Sequence, residues 1–280
     1  AGMAEDWKRR VEATGELALL CYREEMEANL RTEDIAGISL LGLQDFPGQG
    51  TALVGMLNSH LVPKPFSFAD PSRFRAFFRD VLPLAELEKY TYVPGEGVHA
   101  DVRLANYGKT DLKGALSWTL EGRGVRLEGQ GADVKAGQGR LSRIGEMDFT
   151  MPTIRTNEAL RLTVRFADAE NVYTLWLYGQ ADPVRPESVY ETQTLDGKTL
   201  QVLSEGGRVY LSPPSTSEAL PKSIQAQFST DFWSVGTFPQ QEGGMGQLID
   251  STHPLFASFP TAFHSDWQWW PMYLFFHYNH

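Results

Sequence analysis

The sequence predicts a multidomain protein of mixed class, α/β at both ends with an all-β unit between them. Three observations carry this. A helical stretch over residues 5–30 leads into the apolar run Ile38–Leu43. Strict apolar/polar alternation marks Val98–Leu104 and again Leu160–Phe166. A short helical pattern over Asp196–Glu205 is closed by Gly206-Gly207 and followed by the strand-like Val209-Tyr210-Leu211. A chain of 280 residues has room for two or three domains. The boundaries read as 1–88, 89–182 and 183–280.

In the first zone, Leu17, Leu20, Cys21 and Glu24 lie on one helical line, with Leu19, Tyr22, Met26 and Leu30 beside it. Gly15 weakens the middle, so the stretch reads as one helix or two. Thr32-Glu33-Asp34 ends it. Ile38, Leu40, Leu41 and Leu43 are apolar on both faces, as expected of a parallel strand covered on both sides. Gln44 and Asp45 stand at its C-terminal end, where α/β proteins carry sites. Gly48 and Gly50 permit a turn, and Thr51 can cap a following helix. Asp70-Pro71-Ser72 opens another helix with Phe74, Phe77, Phe78 and Val81 on one face, stopped by Pro83. Such a strand needs parallel neighbours on both flanks, and only one is encoded. The zone reads as the tail of a larger domain.

The second zone has six strand signals: Val98–Leu104, Leu116–Leu120, Val125–Glu128, Ile144–Phe149, Leu160–Phe166 and Val172–Tyr178. Turns fall at Asn106-Tyr107-Gly108, Gly122-Arg123-Gly124 and Asp168-Ala169-Glu170-Asn171. This spacing, without a convincing helix, predicts an immunoglobulin-like β-sandwich. His99 lies on a polar strand face and reads as solvated.

The third zone is dense in aromatics: Phe232, Trp233 and Phe238, then Phe256, Phe259, Phe263, Trp267, Trp269, Trp270, Tyr273, Phe275, Phe276 and Tyr278. It is short for an open α/β domain and reads as truncated. His264 with Asp266 and the Trp267, Trp269, Trp270 cluster can stack a sugar ring or pack as core. In a strand, Trp267 and Trp269 share a face and Trp270 opposes them. At least two of the three rings are expected to be buried.

Composition limits the partners. The net charge of −10 and the pI near 5.1 argue against nucleic acid and anionic membranes. No apolar run approaches the ~18 residues of a membrane span. Cys21 is the single cysteine, so an intrachain disulfide and a cysteine-rich zinc site are excluded. It has no sequence-near histidine and does not read as a nucleophile. His253 precedes Pro254 in a turn. His277 and His280 lack the carboxylate or cysteine set of a metal site. No cofactor is expected.

Three stretches carry a resemblance. They are Leu20-Cys21-Tyr22-Arg23-Glu24-Glu25, the run from Leu43-Gln44-Asp45-Phe46-Pro47-Gly48 to Leu53-Val54-Gly55, and His253-Pro254-Leu255 through Phe263-His264-Ser265-Asp266-Trp267-Gln268-Trp269-Trp270. With the order of zones, they resemble the C-terminal part of bacterial glycoside hydrolases related to family 2, of β-galactosidase-like type. The resemblance implies the tail of a (β/α)8 barrel over 1–88, an immunoglobulin-like sandwich over 89–182, and a partial amidotransferase-like α/β module over 183–280. It makes the helix near residue 20 the seventh barrel helix and Ile38–Leu43 the eighth strand. The family's glutamate pair sits on the fourth and seventh strands, so it would precede residue 1. Glu24 and Glu25 read as solvated helix carboxylates.

The resemblance therefore implies a non-catalytic portion of a glycoside hydrolase, from a periplasmic, secreted or cytoplasmic bacterial parent. A free-standing carbohydrate-binding protein is the alternative. Expected partners are carbohydrate and the rest of the parent enzyme, or a self-association surface on the barrel tail. The candidate substrate-binding residues are Gln44, Asp45, His264, Trp267, Trp269 and Trp270. Asp45 reads equally as a cap on the turn at Gly48.

Overall fold

The computed structural model describes residues 3–46, 55–179, 186–214, 216, 218–220, 223–225, 246–273 and 277–279. It is a mixed α/β structure with more strand than helix, built on open sheets. The helix predicted to start at Thr51 and the aromatics Phe232, Trp233, Phe238, Phe275 and Phe276 lie outside the described residues, as do His280 and the side chains of His277 and Tyr278.

A single helix α1, Ala4–Leu30, opens the described chain, with Glu5 and Asp6 complementing its dipole. Gly15 does not divide it. A Cβ at Gly15 would run into the Phe68 ring, so the glycine is there for close packing of the Ser67–Ala69 turn. The predicted strand Ile38–Leu43 is not formed. The segment is irregular; Leu41 is 71% exposed, while Ile38, Leu40 and Leu43 are partly buried. Without flanking parallel strands, its backbone takes other partners. The Gly42 carbonyl accepts from the Tyr22 hydroxyl at 2.9 Å, and the Leu43 carbonyl from the Leu57 N–H at 3.0 Å.

The helix opened by Asp70 is brief. Asp70 accepts from the Ser72 N–H at 2.8 Å, and α2 spans only Pro71–Arg75. Val81 and Pro83, assigned to that helix and its stop, belong instead to strand β1, Val81–Ala85. Pro83 is tolerated there because β1 is an edge strand that pairs only with β3, Gly97–Asn106.

The remaining strands are β2 (Thr91–Tyr92), β4 (Leu112–Gly122), β5 (Val125–Ala136), β6 (Arg140–Thr150), β7 (Glu158–Phe166) and β8 (Ala169–Leu177). They form a three-stranded sheet in the order β1-β3-β6 and a five-stranded sheet in the order β2-β8-β7-β4-β5. The turn before β8 is Ala167–Asp168, shorter and earlier than the predicted Asp168–Asn171. Ala100, Val102, Leu104, Ile144 and Met147 of one sheet and Leu116, Leu120, Leu162, Val164, Phe166 and Leu175 of the other share one core. Alternation puts these side chains inward, and each fully buried aliphatic contributes roughly 1.5–3 kcal/mol.

Helix α1 packs on this double sheet. Leu19, Met26 and Leu30 share a second core with Phe68, Phe77, Leu82, Leu84 and Ala105. Farther on, β9 (Val189–Thr192), α3 (Gly197–Ser204) and β10 (Arg208–Leu211) form a parallel β-α-β unit. Asp196 caps α3 through the Thr199 N–H at 2.9 Å, and Gly206 ends it at φ +81°. Two further strands, β11 (Ser223–Gln225) and β12 (His277–Asn279), pair antiparallel. The final helix, α4, covers Trp270–Tyr273. Among the described residues no helix is long and apolar enough to cross a membrane.

Candidate functional site

Three elements enclose a cleft of about 530 Å³. Helix α1 contributes Leu20, Arg23 and Glu24, which at i, i+3 and i+4 share one face. Strand β8 contributes Thr174 and Trp176, two apart and so on one face. The C-terminal segment contributes Pro260, Thr261, Ala262, His264, Asp266 and Trp267, and Tyr90 closes the side next to β2.

The C-terminal wall is held by a capped turn. Asp266 is the N-cap of a 3-10 turn over Trp267–Trp269 and accepts from the Gln268 N–H at 3.3 Å. Gln268 is buried and satisfied on several sides. It donates to the Pro260 carbonyl at 3.0 Å and to Asp266 at 3.2 Å, and accepts from the Tyr178 hydroxyl. Leu17 of α1 packs under Trp267 and Trp269. The Trp267 ring then lies against Tyr90, centroids 6.2 Å apart and planes 17° off parallel.

The floor is a closed polar network. Glu27 is fully buried and accepts from Arg23 Nε at 2.9 Å, Asn171 Nδ2 at 3.0 Å and the Tyr173 hydroxyl at 3.0 Å. Arg23 also donates to Asn171 Oδ1 at 3.0 Å and sits 4.6 Å from the Tyr173 ring centroid. Burial opposes the Arg23 charge, but Glu27 more than offsets it and raises its pKa. Behind His264, buried Glu16 receives both Arg73 terminal nitrogens, at 2.6 and 2.7 Å, and the Ser67 hydroxyl at 2.6 Å. Burial acts to raise the Glu16 pKa. These bonds outweigh it and hold the carboxyl below its ordinary range. His264 Nε2 stands 3.9 Å from Glu16, and its Nδ1 lies 3.0 Å from the Ser265 carbonyl.

The carboxyl groups of the cleft behave differently. Burial pushes Glu24 upward, against the hydrogen bond it accepts from the Tyr90 hydroxyl at 2.8 Å. Burial pushes Asp266 up to about 7, against the two bonds from Gln268. Tyr90 is raised by burial and by the neighbouring Glu24. The cleft thus offers flat aromatic surface, a guanidinium, an imidazole and two carboxyls whose pKa values burial raises. That set suits a polyhydroxylated ligand, with rings to stack and hydroxyls to bind.

Of the sequence-predicted residues, His264 and Trp267 line the cleft. Trp269 lies behind it, against Phe256, Phe259 and Leu17, donating to Thr261 Oγ1 at 3.0 Å. Trp270 begins α4, is 46% exposed and does not line the cleft. The three indoles are therefore not on a strand. Two are half-buried, and the expectation of two buried rings is not met. Gln44 and Asp45 lie elsewhere. Asp45 accepts from the Gly55 N–H at 3.0 Å and pairs with Lys64 at 2.8 Å, so its role is structural. Glu24 is not the solvated group expected of it. The signal for Glu24 was its place on the helical line of Leu17, Leu20 and Cys21. Tyr90 gave none, because its partners are remote in sequence. Among the described residues no group of three or more His, Cys, Asp or Glu side chains is placed to hold a metal ion.

Comparisons with solved structures give short, distant likenesses. An alkylpurine DNA glycosylase from Pseudomonas fluorescens, AlkC, bound to DNA containing an abasic site analog, is 12% identical over 38% of this chain and 33% of that one, with a TM-score of 0.30. The sporulation control protein Spo0M of Bacillus subtilis is 16% identical over 38% of this chain and 51% of that one, with a TM-score of 0.27. A β-glucosidase from Listeria innocua in complex with glucose is 13% identical over 36% of this chain and 16% of that one, with a TM-score of 0.27. At these scores the likenesses carry no argument about function. The matches span about half of Spo0M, a third of AlkC and less than a fifth of the β-glucosidase. No curated protein matches it. Residues 96–179 match a domain of unknown function (DUF8488), and residues 190–274 match another (DUF8487).

Proposed function

We propose that this chain is a carbohydrate-binding accessory part of a glycoside hydrolase related to family 2, and that it does not itself cleave glycosidic bonds. The observation that supports it most is the cleft in which Tyr90, Trp267 and Trp176 stand beside Arg23, Glu24, His264 and Asp266. Aromatic faces stack on the apolar faces of sugar rings, while buried charged and polar groups select hydroxyl patterns. The finer fold belongs to the same proposal. The two facing sheets are read as an immunoglobulin-like sandwich, and β9-α3-β10 as the start of an amidotransferase-like module. Residues 1–88 are read as the barrel tail, although Ile38–Leu43 is not a strand here. Leu41, Phe46, Leu61 and Val62 of that zone are exposed and would be covered by the rest of the enzyme or by a second copy.

The test is calorimetric titration of the full chain with neutral gluco- and galacto-oligosaccharides, together with an assay on aryl β-glycosides. Saturable binding without hydrolysis is expected. Absence of binding would overturn the carbohydrate reading. Hydrolysis lost in Glu24→Gln or Asp266→Asn would overturn the non-catalytic one, since two carboxyl groups across a sugar are what hydrolysis requires.

A further inference from the structure

We infer that the cleft takes a sugar bearing a protonated primary amine, received between Glu24 and Asp266 and the aromatic rings beside them. This rests on the carbohydrate reading above and names its ligand class.

The starting point is a buried carboxyl group with no cation beside it. Glu16, Glu27 and Asp45 are buried carboxylates, and each is paired with a cation: Arg73, Arg23 and Lys64. Asp266 is equally enclosed, at 8% exposure. Among the described residues, no lysine, arginine or histidine forms an ion pair with it, and the side chain bonded to it is the neutral Gln268. Glu158 also lacks a cation, but it accepts the Arg123 N–H and does not line the cleft. Buried charges are ordinarily paired, and Asp266 opens onto a cavity where a partner can enter.

The cations nearest the cleft are engaged elsewhere. Arg23 is held by Glu27 and Asn171, and His264 turns its Nε2 toward Glu16. Arg31 pairs with Glu24 at 3.8 Å, which leaves Asp266 as the cleft carboxyl without a cation among the described residues. Tyr178 lies beneath Asp266 and bonds Gln268. Glu24 and the Tyr90–Trp267 pair line the same cleft, so it offers an ammonium both carboxyl oxygens and aromatic faces. A divalent metal is the poorer fit, since it asks for a fuller set of ligands than the two carboxyls supply. Burial raises both Glu24 and Asp266, and a bound ammonium would act in the opposite direction by favouring their ionised forms.

The experiment is calorimetry of the full chain at about pH 6.5 with three tetrasaccharides of one linkage: glucosamine, N-acetylglucosamine and glucose. Repeating it in two buffers of different ionisation enthalpy counts protons. The amine form is expected to bind at least about tenfold tighter than the other two, with net proton release as Asp266 ionises. The preference should vanish in Asp266→Asn and shrink in Glu24→Gln, both checked for native melting. The wild-type comparison stands even if a variant fails to fold. Equal affinity for all three sugars overturns the amine assignment and leaves the carbohydrate reading in place. Saturable binding of calcium chloride alone, lost in Asp266→Asn and without amine preference, overturns it in favour of a metal. No binding of any sugar overturns the carbohydrate reading itself.

Discussion

The Glu27 carboxylate of α1 accepts a hydrogen bond at 3.0 Å from the Tyr173 hydroxyl of β8, a residue 146 positions away. This contact joins the N-terminal helix to the double sheet in a buried site. The Tyr173 oxygen also accepts from the Ala85 N–H at 3.1 Å and from Asn171 at 2.9 Å. Removing Glu27 leaves Arg23 charged and enclosed without a counter-ion. Glu27→Ala should cost about 3–5 kcal/mol, and Tyr173→Phe about 1–3 kcal/mol. Urea unfolding measures both. Equal, small losses would mean that the helix is not anchored there.

Gly15→Ala is a test of packing against propensity. Alanine favours a helix interior by about 0.8–1 kcal/mol over glycine. Here the new methyl would collide with the Phe68 ring. The variant should lose about 1–3 kcal/mol net. A stabilised Gly15→Ala, seen as a higher melting temperature, would show that Phe68 moves aside freely.

That glycine illustrates what the sequence makes legible. Alternation revealed β3 and β7, because each buries one face against the opposite sheet, and shorter apolar runs between turns marked β4, β5, β6 and β8. Asp196 and Gly206-Gly207 bounded α3, because capping is local chemistry. The apolar run Ile38–Leu43 misled, because its pattern suits a doubly covered strand, whereas here Ile38, Leu40 and Leu43 pack partly buried on one core and Leu41 faces solvent. Phe74, Phe77 and Val81 kept helical spacing by chance across a helix end and a strand start, and Pro83 was read as a stop although an edge strand accepts it. In the cleft, His264 and Trp267 were legible as a polar and aromatic cluster. Glu24 was legible only as a member of the buried helical line, and Tyr90 not at all, because only the tertiary fold brings α1, β8 and the C-terminal segment together.

Asp266 should impose a pH signature on stability. Its folded pKa of about 7 lies above the ordinary aspartate value of 3.8. Well below about pH 4 the group is protonated in both states and contributes nothing. As pH rises from about 4 to 7 the unfolded chain ionises first, so the folded state loses stability. The loss is complete above about 7, with a ceiling of about 4 kcal/mol. Asp266→Asn removes this dependence. Urea unfolding of both proteins at about pH 5 and pH 8 should show the wild type losing ground to the variant as pH rises. A gap that is constant, or that moves the other way, contradicts the buried, unpaired state of this carboxyl.

Asp45→Asn separates structural from ligand roles. The variant breaks the Lys64 ion pair and weakens the bond to the Gly55 N–H. A loss of about 1–3 kcal/mol is expected, with sugar affinity unchanged. A folded variant with weakened sugar binding would return Asp45 to the site.

The central claim is that the cleft beside Trp267 binds sugar. The most direct measurement is tryptophan fluorescence with a soluble quencher during titration with gluco- and galacto-oligosaccharides, in the wild type, Trp267→Ala and Trp270→Ala. Saturable, sugar-dependent protection is predicted for the wild type and for Trp270→Ala, and its loss in Trp267→Ala. Protection that survives in Trp267→Ala but disappears in Trp270→Ala would place the sugar on the exposed face of α4 and contradict the account.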